Sequence, residues 1–251
     1  GENRREDQEL GLQGSWDIHR SLTASLQSRW GWKAIPPASE TDETENYRDN
    51  VTSAAMTYRP WEDWETQVAY NRYQASFQET AADEVTSNGL SASIARRVFP
   101  AVWGESTLSY QMIDNADLGF LNRDNETYNA SVGFRFEPRG PVTGSVHAGY
   151  IQKDYESRFI QDESGPSMDA EVTYALRETI DLFCTAERTL AETSVSARNI
   201  RAGQSYTRTS FSVGSSMEVT NRVNLRLVGF YNTDDYGSAQ NRKENLYGGS
   251  L

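Results

Sequence analysis

The chain has 251 residues, a formal net charge of −12 and a mean hydropathy of −0.71. The negative charge argues against nucleic acid as a partner. The single cysteine, Cys184, rules out a disulfide framework within the chain, and no apolar run approaches the roughly 20 residues of a membrane-spanning helix. The 13 tyrosines, 9 phenylalanines and 6 tryptophans nevertheless distinguish this sequence from a disordered polar chain.

Apolar residues alternate with polar residues along most of the sequence, in segments of roughly 10–14 residues. In chain order these segments include 10–18, 22–30, 90–94, 128–136, 142–150, 168–176, 180–186 and 223–231. An apolar residue at every second position predicts a β-strand with one apolar face and one polar face, and no window shows helical spacing. The polar positions are mostly uncharged, as in Thr107, Ser109 and Gln111.

Two kinds of connection separate the predicted strands. Short turns are predicted at 19–21, 60–63, 99–101, 138–141, 177–179 and 220–222, about 40 residues apart. Longer polar and acidic stretches lie between them at 34–46, 78–87, 114–124, 154–165, 192–203 and 233–243. Transmembrane β-barrels alternate short periplasmic turns with long extracellular loops in this way.

Aromatic residues cluster near both kinds of connection, with small aliphatic residues between them. The residues near the short turns are Trp16, Tyr58, Trp61, Trp64, Trp103, Phe136 and Tyr174. Those near the long loops are Trp30, Trp32, Tyr70, Tyr110, Tyr128, Tyr150, Tyr206, Tyr231 and Tyr247. Two such levels match the aromatic girdles at the two membrane interfaces, whereas a soluble sandwich is expected to place its largest residues mid-strand.

These patterns predict an all-β fold, an up-and-down antiparallel transmembrane β-barrel with about 12–13 strands present. We expect a single outer-membrane barrel domain over residues 1–251, an internal fragment of a larger barrel. Its sheet is expected to be incompletely sealed, or closed by an unnatural seam between the first and last strands. The alternatives are a propeller of WD-type repeats and a soluble extracellular β-sandwich or adhesin. The predicted outward residues are Val132, Phe134, Val172, Leu182, Leu225 and Leu227, and the predicted inward residues are Asn129, Ser131, Thr173 and Ser212.

Several segments of the C-terminal half resemble the β-barrel porin-2 type of bacterial outer-membrane protein. They are Asn125-Glu126-Thr127-Tyr128 leading into 130–134, the run 144–150 followed by 153–155, the run 165–170, and the run 187–193. The resemblance is clearest over residues 125–251. The first 85 residues share only the spacing of strands and connections. It implies an outer-membrane location, an association with exopolysaccharide or capsule loci, and no catalytic residues.

The residues that could carry chemistry have simple structural interpretations. His19 lies in a short turn. Ser145 and His147 are neighbours on one face of one strand without an oxyanion-hole signature, so we predict no enzyme activity. Cys184 is expected to act as a small hydrophobe on the lipid face, and neither a cofactor nor a metal site is predicted.

Acidic residues accumulate in the loops, at Glu40, Asp42, Glu43, Glu45, Glu79, Asp83, Glu84, Asp154, Glu156, Asp162, Glu163, Asp234 and Asp235. They form a solvated surface or bind anionic lipopolysaccharide or polysaccharide through divalent cations.

A cluster of charges is predicted in the lumen. A hairpin centred near Arg177-Glu178 places Asp169 opposite Glu187, and a connection centred near 197–198 places Glu187 opposite Arg208. Glu171 and Arg226 complete the set. The cluster is a structural group of ion pairs or one side of a charged constriction that orients a sugar-like solute.

The leading functional hypothesis is a bacterial outer-membrane barrel, porin-like or associated with exopolysaccharide export. A general diffusion porin, a plugged structural or adhesive barrel and a soluble sandwich are the alternatives. The expected partners are outer-membrane lipid and lipopolysaccharide, with polysaccharide as a further candidate.

Overall fold

The computed structural model describes residues 8–35, 45–77, 84–115, 124–137, 140–158, 160–177, 179–192, 205–220, 223–236 and 243–250. These residues form 13 strands: β1 (Gln8–His19), β2 (Leu22–Ile35), β3 (Glu45–Trp61), β4 (Trp64–Phe77), β5 (Val85–Phe99), β6 (Val102–Asn115), β7 (Asn125–Phe136), β8 (Val142–Tyr155), β9 (Glu163–Arg177), β10 (Ile180–Glu192), β11 (Ser205–Thr220), β12 (Val223–Asp235) and β13 (Lys243–Ser250). The prediction of about 12–13 strands is confirmed.

All 13 strands belong to one antiparallel sheet whose order follows the sequence from β1 to β13. Short connections join β1 to β2, β3 to β4 and β5 to β6 at the predicted turns, with two residues between successive strands. Within the described part of the chain β1 and β13 do not pair, so the sheet is not closed, as predicted. The topology excludes a propeller, which needs short four-stranded blades. None of the described segments is a helix long and apolar enough to cross a membrane.

The strands fall into two compact units. The first contains the chain up to Ser93 together with Ser109–Tyr128 and Asp154–Gln161, and the second contains Ile94–Leu108, Asn129–Lys153 and the chain from Asp162 onward.

The sheet has an inverted distribution of apolar side chains compared with a soluble domain. Only five hydrophobic residues of the described chain are buried: Ala75, Ala95, Trp103, Ile151 and Tyr206. Large apolar side chains are instead exposed at every second strand position, including Leu12 at 62 %, Val132 at 63 % and Leu108 at 65 %. We call this side of the sheet the apolar face and the opposite side the polar face. Such a continuous exposed apolar surface is expected of a sheet that lies in lipid.

The predicted orientations follow the alternation along each strand. Val132, Phe134, Leu182 and Leu227 are exposed on the apolar face, and the half-buried Val172 and Leu225 share that face by their positions in the strands. Asn129, Ser131, Thr173 and Ser212 occupy the alternate, polar positions. The free Cys184 lies on the apolar face, opposite Val172 and Val213. A register error of one residue would have inverted these assignments.

Most of the predicted aromatic residues project from the apolar face. Trp16, Tyr58, Tyr128, Tyr150 and Tyr231 are between 43 % and 54 % exposed. Trp103 and Tyr206 are exceptions, because they are only 4 % and 6 % exposed and lie on the polar face. The prediction that these two residues belong to the girdles is wrong, since distance from a turn does not define the face of a strand.

Candidate lumen wall

Polar side chains from five consecutive strands of the second unit line one cavity on the polar face. They are Thr107 of β6, Asn129 and Ser131 of β7, His147 of β8, Ser167 and Asp169 of β9, and Glu187 and Thr189 of β10. A cavity shared by so many adjacent strands indicates that this face is concave. The lining carries hydroxyl, amide, imidazole and carboxylate groups, which can donate and accept hydrogen bonds.

A pair of carboxylates lies on the last two of these five strands, β9 and β10. Asp169 is directly opposite Glu187 in the β9–β10 register, as predicted. Neither residue forms a hydrogen bond or an ion pair with another described residue. Glu171 lies one step along the same face, opposite Ser145 and Thr185. The three carboxylates therefore form an acidic stretch on the polar face, and two of them, Asp169 and Glu187, line the cavity.

The predicted pairing of Glu187 with Arg208 is wrong by two residues. Glu187 lies opposite Ser210, and Arg208 lies opposite Thr189 on one side and Asp234 on the other. Because the error is an even number of residues, Arg208 keeps its predicted face. It lines a second cavity together with Glu187, Ser210, Asn232, Asp234 and Glu244.

Arg208 forms a bidentate ion pair with the Asp234 carboxylate. Its Nε and Nη2 donate to Oδ1 and Oδ2 over 3.0 and 2.9 Å. Its guanidinium carbon lies 5.2 Å from the ring centroid of Tyr206, which stacks on Tyr236 at 4.9 Å. Asp234 was expected to lie in a solvated acidic loop. It instead neutralises Arg208, which was expected to pair with Glu187.

Arg226 is separate from the acidic stretch. It lies opposite Ser216, and its guanidinium carbon is 4.7 Å from the ring centroid of Phe183. The predicted five-residue cluster thus divides into three open carboxylates, a compensated arginine, and an arginine that stacks on an aromatic ring.

His147 extends the acidic stretch toward β6. It lies directly opposite Asp169, and its Nε2 atom is 3.9 Å from Oε2 of Glu105. The imidazole therefore faces carboxylates rather than Ser145. His19, in contrast, lies within hydrogen-bond distance of Ser21 in its exposed turn, which agrees with the predicted turn role.

A buried group around Trp103 was not recognised in the sequence. The indole Nε1 donates to Oε1 of Glu137 over 2.6 Å, and the guanidinium carbons of Arg97 and Arg135 lie 4.9 and 5.4 Å from the ring centroid. Arg135 also lies 3.8 Å from Glu105. The parity of position 103, opposite to that of Leu108, is the signal that assigns the indole to the polar face.

The described residues contain no group of three or more His, Cys, Asp or Glu side chains with the geometry of a metal site. Of the acidic loop residues, positions 40–44, 79 and 83 lie outside the described residues.

Comparison with known proteins supports the membrane interpretation. The family model "Putative beta-barrel porin 2" matches residues 96–251. The chain belongs to this family. A comparison with curated proteins found no match.

Among solved structures, the chain is similar to the ferric preacinetobactin receptor BauA of Acinetobacter baumannii, with a TM-score of 0.53, 9 % identity, and coverage of 92 % of this chain and 47 % of BauA. The ferric citrate transporter FecA gives a TM-score of 0.52 and 13 % identity over 97 % of this chain and 46 % of FecA. The alcaligin outer-membrane receptor FauA of Bordetella pertussis gives a TM-score of 0.50 and 17 % identity over 91 % of this chain and 43 % of FauA.

These similarities concern the fold alone, and the chain spans less than half the length of each of the three proteins. Together with the family they establish a bacterial outer-membrane β-barrel of porin-like architecture. The apolar face therefore contacts lipid, and the polar face forms the lumen wall.

Proposed function

We propose that the complete protein is a passive outer-membrane pore that conducts hydrophilic, polysaccharide-type solutes, and that it has no catalytic role. The observation that carries this proposal is the concave polar wall lined by five consecutive strands. Hydroxyl and amide groups exchange hydrogen bonds with a polyhydroxylated solute without retaining it tightly, which is what conduction requires. Lipid and lipopolysaccharide surround the barrel as its partners.

The acidic stretch further defines the preferred solute. Asp169, Glu171 and Glu187 lie on the lumen wall, and none of them forms an ion pair with another described residue. Rings and walls of carboxylates favour cations and disfavour anions. We therefore expect a pore that admits neutral and cationic solutes more readily than strongly anionic ones.

The test is the conductance of the full-length protein in a planar lipid bilayer. We expect cation-selective channels, with a lower cation-to-anion permeability ratio in Asp169→Asn and Glu187→Gln. Glu62→Gln is the matched control, because Glu62 lies in an exposed turn between β3 and β4. A barrel without any conductance would contradict the pore and favour a plugged structural or adhesive barrel.

Polysaccharide specificity is tested in the same recording. A neutral polysaccharide added to one chamber should reduce the current reversibly, because its hydroxyl groups compete for the lumen wall. A current that responds only to the size of the added polymer, whatever its chemistry, would contradict the specific role and indicate a general diffusion porin.

A further inference from the structure

Two of the arginines on the apolar face, one in each unit, lie past the middle of their strands as counted from the short turns. Arg72 of β4 follows the exposed Val68 and Tyr70 at two-residue intervals. Arg188 of β10 follows Leu182, Cys184 and Ala186 in the same way. A charged side chain on the lipid side of a barrel is costly at the bilayer midplane and nearly tolerated at the interfaces. The height of these two residues along their strands therefore decides their role.

Each arginine lies the same number of residues from the short-turn end of its own strand. Arg72 is eight residues from Trp64 at the start of β4, and Arg188 is eight residues from Ile180 at the start of β10. At about 3.4 Å per residue and a tilt of about 40°, eight residues rise about 21 Å from the short-turn end. The apolar band of such barrels is about 25 Å tall. Each guanidinium therefore lies near the border of the band on the long-loop side.

Each arginine also has a threonine as its direct cross-strand partner. Arg72 is opposite Thr52, and Arg188 is opposite Thr209, whose Oγ1 accepts from Nη1 over 3.4 Å. Within the described part of the chain neither arginine forms an ion pair, and Nε of Arg188 is buried without a hydrogen-bond partner. The cross-strand partners of Arg188 on both sides, Met168 and Thr209, are uncharged.

We propose that the Arg72–Thr52 and Arg188–Thr209 pairs bind phosphate groups of the phosphorylated glycolipid in the outer leaflet, lipopolysaccharide. A guanidinium matches a phosphate through two parallel N–H donors. Beside Arg188 the Thr209 hydroxyl accepts from the guanidinium and can donate a further hydrogen bond to the phosphate, whereas the Thr52 hydroxyl beside Arg72 already donates to Oδ1 of Asn50. The long-loop end of a bacterial barrel faces outward, where the headgroups of this lipid lie. The lipid phosphate supplies the counter-charge that the sheet does not. This binding does not depend on which solute the pore conducts.

The test measures binding of diphosphorylated lipid A to the full-length protein in detergent micelles by native mass spectrometry. We expect Arg72→Gln and Arg188→Gln each to lower the affinity about tenfold, and the double variant to lower it further. Arg96→Gln is the matched control, since Arg96 is exposed on the same face of β5 but near the short-turn end. Lipid A without phosphates should bind equally to the unaltered protein and to all four variants.

Several results would overturn the proposal. These are unchanged affinity in the double variant, an equal loss in the Arg96→Gln control, or displacement of lipid A by an equal concentration of inorganic phosphate. The variant with both Arg72→Lys and Arg188→Lys retains the two positive charges without the planar guanidinium, so it should recover only part of the affinity for lipid A. Unaltered circular dichroism and bilayer conductance in every variant show that the barrel itself is intact, which separates this test from that of the pore.

Discussion

The opposed carboxylates on the lumen wall predict that removing one of them stabilises the barrel. Asp169 and Glu187 are direct cross-strand partners, and both are exposed to solvent. Two unit charges about 5 Å apart in water repel by about 0.8 kcal/mol. We therefore expect Glu187→Gln to raise the free energy of unfolding by about 0.5–1 kcal/mol at neutral pH and low salt.

The cost is specific to this pair, so a double-mutant cycle isolates it. In an Asp169→Asn background the stabilisation by Glu187→Gln should nearly vanish, because the repulsion is already gone. In about 1 M salt, where the screening length falls to about 3 Å, it should also shrink. Asp181→Asn is the control, because Asp181 lies on the same face of β10 but opposite Ala175 and Ser216.

The assay is urea unfolding of the full-length protein refolded into lipid vesicles, followed by tryptophan fluorescence. If Glu187→Gln destabilises the barrel, or stabilises it equally in both backgrounds, the two carboxylates do not repel each other across the strands and the proposed open acidic stretch does not exist. A stabilising effect of equal size in Asp181→Asn would attribute the gain to net charge instead.

Three further predictions concern single positions on the sheet. Gly144→Ala should destabilise the barrel by about 1–3 kcal/mol in the same unfolding assay. The reason is that Gly144 has a φ of 119° and that an added Cβ would overlap the backbone of β9. Gly11→Ala is the control and should be nearly neutral, since nothing lies within 4 Å of the added atom. Trp103→Phe should cost about 1–3 kcal/mol, because Glu137 loses the indole N–H donor, and a neutral result in the same assay would show that water replaces it. Arg208→Ala should increase cation selectivity in a bilayer recording, because it releases the carboxylate that the guanidinium binds; an unchanged reversal potential would exclude this wall from the conduction path.

The sequence alone determined the architecture, because the architecture is encoded in local patterns. Alternation with period two defines strands and their faces, and the contrast between short turns and long loops defines an up-and-down order. The pairing of Asp169 with Glu187 was also accessible, since only two residues separate β9 from β10 and a tight hairpin leaves little freedom in register.

Tertiary structure decided the positions that depend on register across long connections. Twelve residues separate β10 from β11, and alternation fixes the pairing there only to an even number of residues, because a shift of two keeps every side chain on its face. The expected partner of Glu187 was therefore displaced by two, and Arg208 binds Asp234 instead. Trp103 shows a second limit, because a large aromatic residue near a turn suits the lipid interface. Arg97 across the tight turn, together with Arg135 and Glu137, which are distant in sequence, nevertheless accommodates it on the lumen wall.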